Sequence, residues 1–157
     1  MYRIKRTNSN DLDFQKLVVE LDKDLEIRDG EGHSFFAQFN KISLIKYVVV
    51  VYENETAVGC GAIKEYEKDT MEIKRMFVSP DFRGKGIASI VLNELEVWAK
   101  ELGGNRCILE TGIKQPEAIR LYQKNDYKII QNYGQYADIE DSICFEKTIS
   151  NIDFTNQ

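Results

Sequence analysis

The spacing of apolar residues divides the chain near Pro80. Upstream, Phe14, Leu17, Val18, Leu21 and Leu25 recur at helical spacing after a short strand, YRIKR. RDGEGH then predicts a loop and SFFAQFNKI a second short helix. LIKYVVVVYEN is a nearly unbroken β-branched run and predicts an interior strand. Turns at ENE and EKDT lead into TAVGCGAIKEYE and MEIKRMFV, so three strands form a meander. Downstream the period becomes helical. Ile87, Ala88, Val91, Leu92, Leu95, Trp98, Ala99 and Leu102 make one stripe, with Asn93, Glu94, Glu96, Lys100 and Glu101 opposite it. Gly103 and Gly104 end this helix. RCILET predicts a strand, QPEAIRLYQKN a helix with Pro116 in its first turn, and YKIIQNY and SICFEKTI the closing strands. A meander followed by alternating helices and strands predicts an α/β layered domain with a mixed sheet, covering residues 1–150 with a tail at 151–157.

Composition narrows the functional classes. Net charge is −5 over 157 residues with both signs dispersed, which argues against a nucleic-acid or membrane-surface binder. Cys60, Cys107 and Cys144 lie in apolar strand-like runs without metal-ligand spacing, so they are expected to be reduced core residues. No metal is expected. Without a signal-like or membrane-spanning run, the expected location is the cytoplasm.

Two local features carry chemistry. In RMFVSPDFRGKGIASIVL, a strand stops at Pro80 and a helix opens after Arg83, Gly84, Lys85 and Gly86. A helix start has unpaired amides and partial positive charge; glycines let an anion approach, and two cations add to the field. The spacing is neither that of a Walker loop nor that of a dinucleotide fingerprint. The second feature is a phase slip. Met71 and Ile73 are odd-numbered and Met76 and Val78 even-numbered, so a period-two strand cannot put all four on one face. One extra residue near Lys74–Met76, a β-bulge, restores the phase.

Arg83-Gly84-Lys85-Gly86-Ile87-Ala88 resembles the Arg/Gln-x-x-Gly-x-Gly/Ala motif of the GNAT superfamily of N-acetyltransferases, and the similarity extends over about Val48–Tyr127. The resemblance implies a mixed, mostly antiparallel central sheet of six to seven strands flanked by helices on both faces. It also implies a bulge in strand 4 and splayed strands 4 and 5. Acetyl-CoA is then the co-substrate, with no metal. Its pyrophosphate would lie on Arg83, Gly84, Lys85, Gly86, Ile87, Ala88 and Ser89. Its pantetheine arm would run along Met76, Phe77 and Val78, and Gln115 joins this cofactor-binding set. Glu72 is the expected base and Tyr122 the expected acid near the sulfur; Met76 N–H is the expected donor to the thioester oxygen. Asn125-Asp126-Tyr127 departs from the family's Asn-Gly-Phe and requires Asp126 to adopt a left-handed turn.

Each role has an ordinary competitor. Glu72 also reads as a solvent-facing strand residue paired with Lys74 or Lys64. Tyr122 also reads as helix packing beside Ala118 and Ile119. For the acceptor, Asp24, Arg28, His33, Tyr133 and Tyr136 are the candidates, with Arg28 suited to a carboxylate. The expected reaction is acetyl transfer to a primary amine of a small molecule, such as an amino acid or polyamine-like compound. A protein N-terminus or lysine, a non-catalytic acyl-CoA sensor and an interaction module stay open. A C-terminal edge strand would permit a homodimer.

Overall fold

A computed structural model describes residues 1–29 and 45–150, with side chains for all of these except residues 28 and 29. The helix expected at Ser34–Ile42 and the tail at 151–157 lie outside the described residues. Seven strands form one sheet in the order β1-β2-β3-β4-β5-β7-β6. They are β1 (Tyr2–Thr7), β2 (Tyr47–Glu53), β3 (Thr56–Glu67), β4 (Thr70–Val78), β5 (Arg106–Gly112), β6 (Lys128–Ile130) and β7 (Ser142–Thr148). The described helices are α1 (Leu12–Asp29), α2 (Ile87–Glu101) and α3 (Pro116–Lys124). β4 pairs with β5 in parallel, whereas β1–β2, β2–β3, β5–β7 and β6–β7 are antiparallel. The meander β2-β3-β4 is as expected. The last strand is not an edge, however: β7 lies between β5 and β6, and YKIIQNY contributes only the three residues of β6. Contacts group the chain into two units, Met1–Lys64 with Lys74–Leu95 and Glu65–Ile73 with Glu96 onward.

In the first unit, Asp11 Oδ1 accepts the amide of Phe14 and caps α1. The α1 stripe, Phe14, Leu17, Val18 and Leu21, packs on Val48, Val50, Tyr52, Cys60, Ala62 and Phe77. The opposite face receives α2. A Cβ on Gly59 would come within 2.8 Å of Ile87 Cγ2, and one on Gly61 within 2.6 Å of Met76 Sδ and 2.8 Å of Val91 Cγ1. These glycines let α2 sit close to β3. Helices therefore cover both faces, as expected.

In the second unit, Tyr122 of α3 packs against Tyr127 and Phe145 at ring distances of 5.8 Å each. Asp126 takes φ +73°, and the Tyr127 amide reaches back to the Tyr122 carbonyl at 3.0 Å. Asp thus supplies the left-handed helix stop usually given to glycine. Gly103, φ +92°, ends α2. Two positions of the α2 pattern, one from each side, read differently in the fold. Leu102 lies past the helix and is exposed. Glu96, placed on the polar side, is buried, because Lys147 Nζ (2.8 Å) and the Tyr127 hydroxyl (3.0 Å) bond it. All three cysteines are buried free thiols.

Candidate active site

The loop at the start of α2 is built from the backbone outward. A 3₁₀ turn at Pro80–Phe82 closes with the Arg83 amide on the Pro80 carbonyl. Gly84 and Gly86 then adopt φ +79° and +83°. The Ile90 amide donates to the Gly86 carbonyl, so the amides opening α2 precede its first turn of hydrogen bonds. A Cβ built on Gly84 or Gly86 would meet nothing within 4 Å. Open space over left-handed glycines at a helix start fits an approaching phosphate. Lys85 Nζ lies 5.3 Å from the Phe82 ring centroid. Arg83 turns the other way. Its Nε donates to the Val78 carbonyl (2.8 Å), its Nη2 lies 3.7 Å from Asp24 Oδ2, and its guanidinium sits over Phe77. The predicted acceptor residue Asp24 therefore neighbours a predicted phosphate residue.

The phase slip in β4 has a backbone cause. Arg75 takes φ +61° in the middle of the strand, which marks the bulge. Beyond it, Met76 and Val78 lie toward α2, as the hypothetical Cβ contacts of Gly61 and Gly59 show, while Phe77 joins the α1 cluster. Before it, Met71 packs beside Gly104 at the end of α2. The parallel ladder is short, running from Thr70–Arg106 to Glu72–Ile108, while β4 continues to Val78.

Glu72 is 3% exposed, which overturns the solvent-facing reading. Its partner is neither Lys64 nor Lys74 but Tyr133, whose hydroxyl donates to Glu72 Oε2 at 2.6 Å. Tyr66 and Tyr136 pack edge-on to Tyr133 at 5.1 and 5.7 Å. Burial, and then the adjacent Glu72 charge, push the Tyr133 phenol well above its usual pKa, so it remains a donor. Burial raises Tyr136 likewise, with Glu110 and Glu72 adding to it. On β5, Glu110 accepts the Ser142 hydroxyl at 2.6 Å. Tyr122 is buried, and desolvation followed by Glu110 raises its phenol, keeping it protonated. Cys107 is pushed up to about 12 and Cys144 to about 11, chiefly by burial, so neither offers a thiolate at neutral pH.

Gln115 is the residue before α3, its amide bonded to the Gly112 carbonyl. His33 lies outside the described residues, as does the side chain of Arg28. Sequence reasoning missed Arg75, Tyr66 and Glu110. Only the position of Arg75 inside the phase slip could have drawn attention to it. Among the described residues, no group of three or more His, Cys, Asp or Glu is placed to hold a metal, and no helix is long and apolar enough to cross a membrane.

The sequence profile described as the Acetyltransferase (GNAT) family matches residues 13–127. An IAA acetyltransferase from Azospirillum brasilense is 36% identical over 102 residues, covering 64% of this chain and 67% of that protein. Across the first few curated relatives, the match spans about half to two thirds of their length. A solved structure of a candidate acyl-CoA N-acyltransferase from Klebsiella pneumoniae superposes with a TM-score of 0.80 at 28% identity, over 95% of this chain and 98% of that one. The fold is also that of a GNAT acetyltransferase from Elizabethkingia anophelis with acetyl-CoA bound (TM-score 0.70, 18% identity, 94% and 97% covered). The chain belongs to the acetyltransferase (GNAT) family.

Proposed function

We propose that this protein transfers the acetyl group of acetyl-CoA directly to a primary amine of a small molecule. The observation that carries the reading is the open loop at Gly84 and Gly86, both left-handed, leading into α2. Amides of residues 84–89 and the Lys85 ammonium would bind the pyrophosphate. Arg83 would contribute from a side chain already anchored on Val78. Backbone groups of Met76–Val78, turned by the bulge at Arg75, would take the pantetheine arm, and Met76 N–H would donate to the thioester oxygen as it gains charge. Gln115 would touch the coenzyme near α3.

The bound thioester supplies an activated acyl carbon. The chain must supply a neutral amine and a proton for the thiolate. Alkyl ammonium groups lose their proton near pH 10, so at neutral pH a base is needed. Glu72 takes that proton, held in place by Tyr133. Tyr122, kept protonated by burial, donates to the departing sulfur and regains a proton from the attacking nitrogen, which must shed a second one to become the amide. Tyr136 and Asp24 remain acceptor-side candidates, with Tyr133 acting through Glu72.

Calorimetry with coenzyme A, followed by a CoA-thiol release assay with acetyl-CoA and a panel of amines, tests this function. Micromolar binding and turnover of at least one small amine are expected. Binding without turnover of any small amine or peptide would favour a sensor; no binding would end the acetyltransferase reading. Replacing both glycines, Gly84→Ala with Gly86→Ala, forces side chains into left-handed backbone at about 1–2 kcal/mol per residue. The KM for acetyl-CoA should rise tenfold or more, with the KM for the amine little changed. An unchanged KM for acetyl-CoA would remove the loop from the binding site.

A further inference from the structure

Arg75 is the most strained and least satisfied polar residue of β4. Its φ of +61° is a conformation that a non-glycine residue adopts at a cost of about 1–2 kcal/mol. Its side chain is 2% exposed, yet it has a single ion pair, Nη1 to Asp22 Oδ1 at 3.1 Å. Arg75 Nε is buried with no hydrogen-bond partner, and among the described residues no other buried side-chain nitrogen or oxygen is left so. Burial pulls the guanidinium below its usual pKa, opposed by Asp22.

A buried charge with an unused donor is costly and invites a functional explanation. A structural ion pair would satisfy both edges of the guanidinium. Here Asp22 takes one nitrogen, and its own side chain is 49% exposed on α1. The edge it leaves, Nε with an adjacent Nη, matches the two oxygens of a carboxylate. Arg75 lies on the α1 side of the strand with Phe77, three residues after Glu72 in the chain.

We propose that Arg75 anchors a carboxylate of the acceptor on its unused Nε edge, so that the substrate class is an amino acid, and that Asp22, on Nη1, balances the guanidinium charge until that carboxylate arrives. This rests on the acetyltransferase reading and narrows it from amines in general to amino-carboxylates. It also moves the carboxylate clamp from Arg28, the expected one, to a buried residue in the bulge.

The test compares each amino acid with the amine it would become on losing its carboxylate: phenylalanine with phenethylamine, leucine with isopentylamine, ornithine with putrescine. With saturating acetyl-CoA, wild type should favour the amino acid in at least one pair by tenfold or more in kcat/KM. Arg75→Gln should erase that preference, raising the KM for the amino acid about 100-fold while the KM for acetyl-CoA stays within twofold. Asp22→Asn keeps Arg75 and removes the competing carboxylate, so the KM for the same amino acid should fall several-fold. This second variant covers the case in which Arg75→Gln does not fold. Equal losses on both members of every pair would reduce Arg75 to support for the bulge and overturn the proposal. So would a wild-type preference for the decarboxylated amines, or no binding of the amino acids to the coenzyme-loaded protein at about 10 mM. In each of those cases coenzyme A binding and transfer to plain amines persist, and the acetyltransferase reading stands. Failure to bind coenzyme A at all sinks that reading instead.

Discussion

Glu72→Gln is expected to lower kcat with the preferred amine by about 100-fold or more at pH 7.5, the lower range for loss of a positioned general base. Gln is nearly the same size and can still accept from Tyr133, so folding should be preserved and the thermal midpoint should move little. The coenzyme contacts proposed for residues 83–89 are untouched, and the KM for acetyl-CoA should hold. The informative measurement is the pH dependence of the deficit. The base matters because the amine arrives as ammonium at neutral pH. As pH climbs toward 10 the free amine deprotonates in bulk water, and the variant should recover relative to wild type. A deficit that stayed constant from pH 7 to 9.5 would mean that Glu72 does something other than remove a proton. Tyr133→Phe is the companion. It removes the 2.6 Å donor and leaves a carboxylate that is 3% exposed short of a hydrogen bond. Its kcat should fall about tenfold, an intermediate loss expected of a residue that positions the base rather than replacing it. Full activity in both variants would remove the pair from the mechanism.

Why some of this was legible in the sequence and some was not follows from the range of each interaction. The bulge was legible because strand periodicity is local: four apolar residues fell on alternating parities, and one left-handed residue, Arg75, reconciles them. The turn at Asp126 was legible for the same reason, since helix termination depends on neighbouring residues. The left-handed loop before α2 was legible because Gly84 and Gly86 need no distant partner to adopt their φ values. Partnerships across the chain were not. Glu72 and Tyr133 are 61 residues apart, and Arg75 and Asp22 are 53 apart. No period or motif joins such pairs, so Tyr133 was seen as an acceptor candidate rather than the partner of Glu72. Glu96 was misplaced because a helical wheel knows only its own helix. The partners that make burial tolerable, Tyr127 and Lys147, come from segments 31 and 51 residues later.

Lys147→Met should be among the most destabilising single changes, because it removes the cation from this buried group. Glu96 is 2% exposed, and its carboxyl pKa is raised above the ordinary value by burial, which outweighs Lys147 and Tyr127 pulling it down. Asp126 adds slightly to the rise. Breaking a buried pair by deleting one partner costs roughly 3–5 kcal/mol, since the remaining charge stays desolvated. For a domain of this size that is a fall of about 10 °C in thermal midpoint. Met fills much of the lysine stem's volume, so the loss reports charge more than packing. The pH dependence fixes the cause. A carboxyl whose folded pKa lies above its unfolded value of 4.5 binds protons more tightly when folded. Its ionisation penalty is absent below that pH, grows as pH rises through the unfolded value, and is complete once the folded carboxyl ionises. Removing Lys147 raises the folded pKa further. Denaturant melts of variant and wild type should therefore converge toward pH 4 and separate steadily up to pH 8. Glu96→Gln combined with Lys147→Met leaves no charge at this site and should recover much of the lost stability at pH 7.5, with little pH dependence in the difference that remains. A gap between Lys147→Met and wild type that does not vary with pH would assign the loss to packing and remove the buried charge from the explanation.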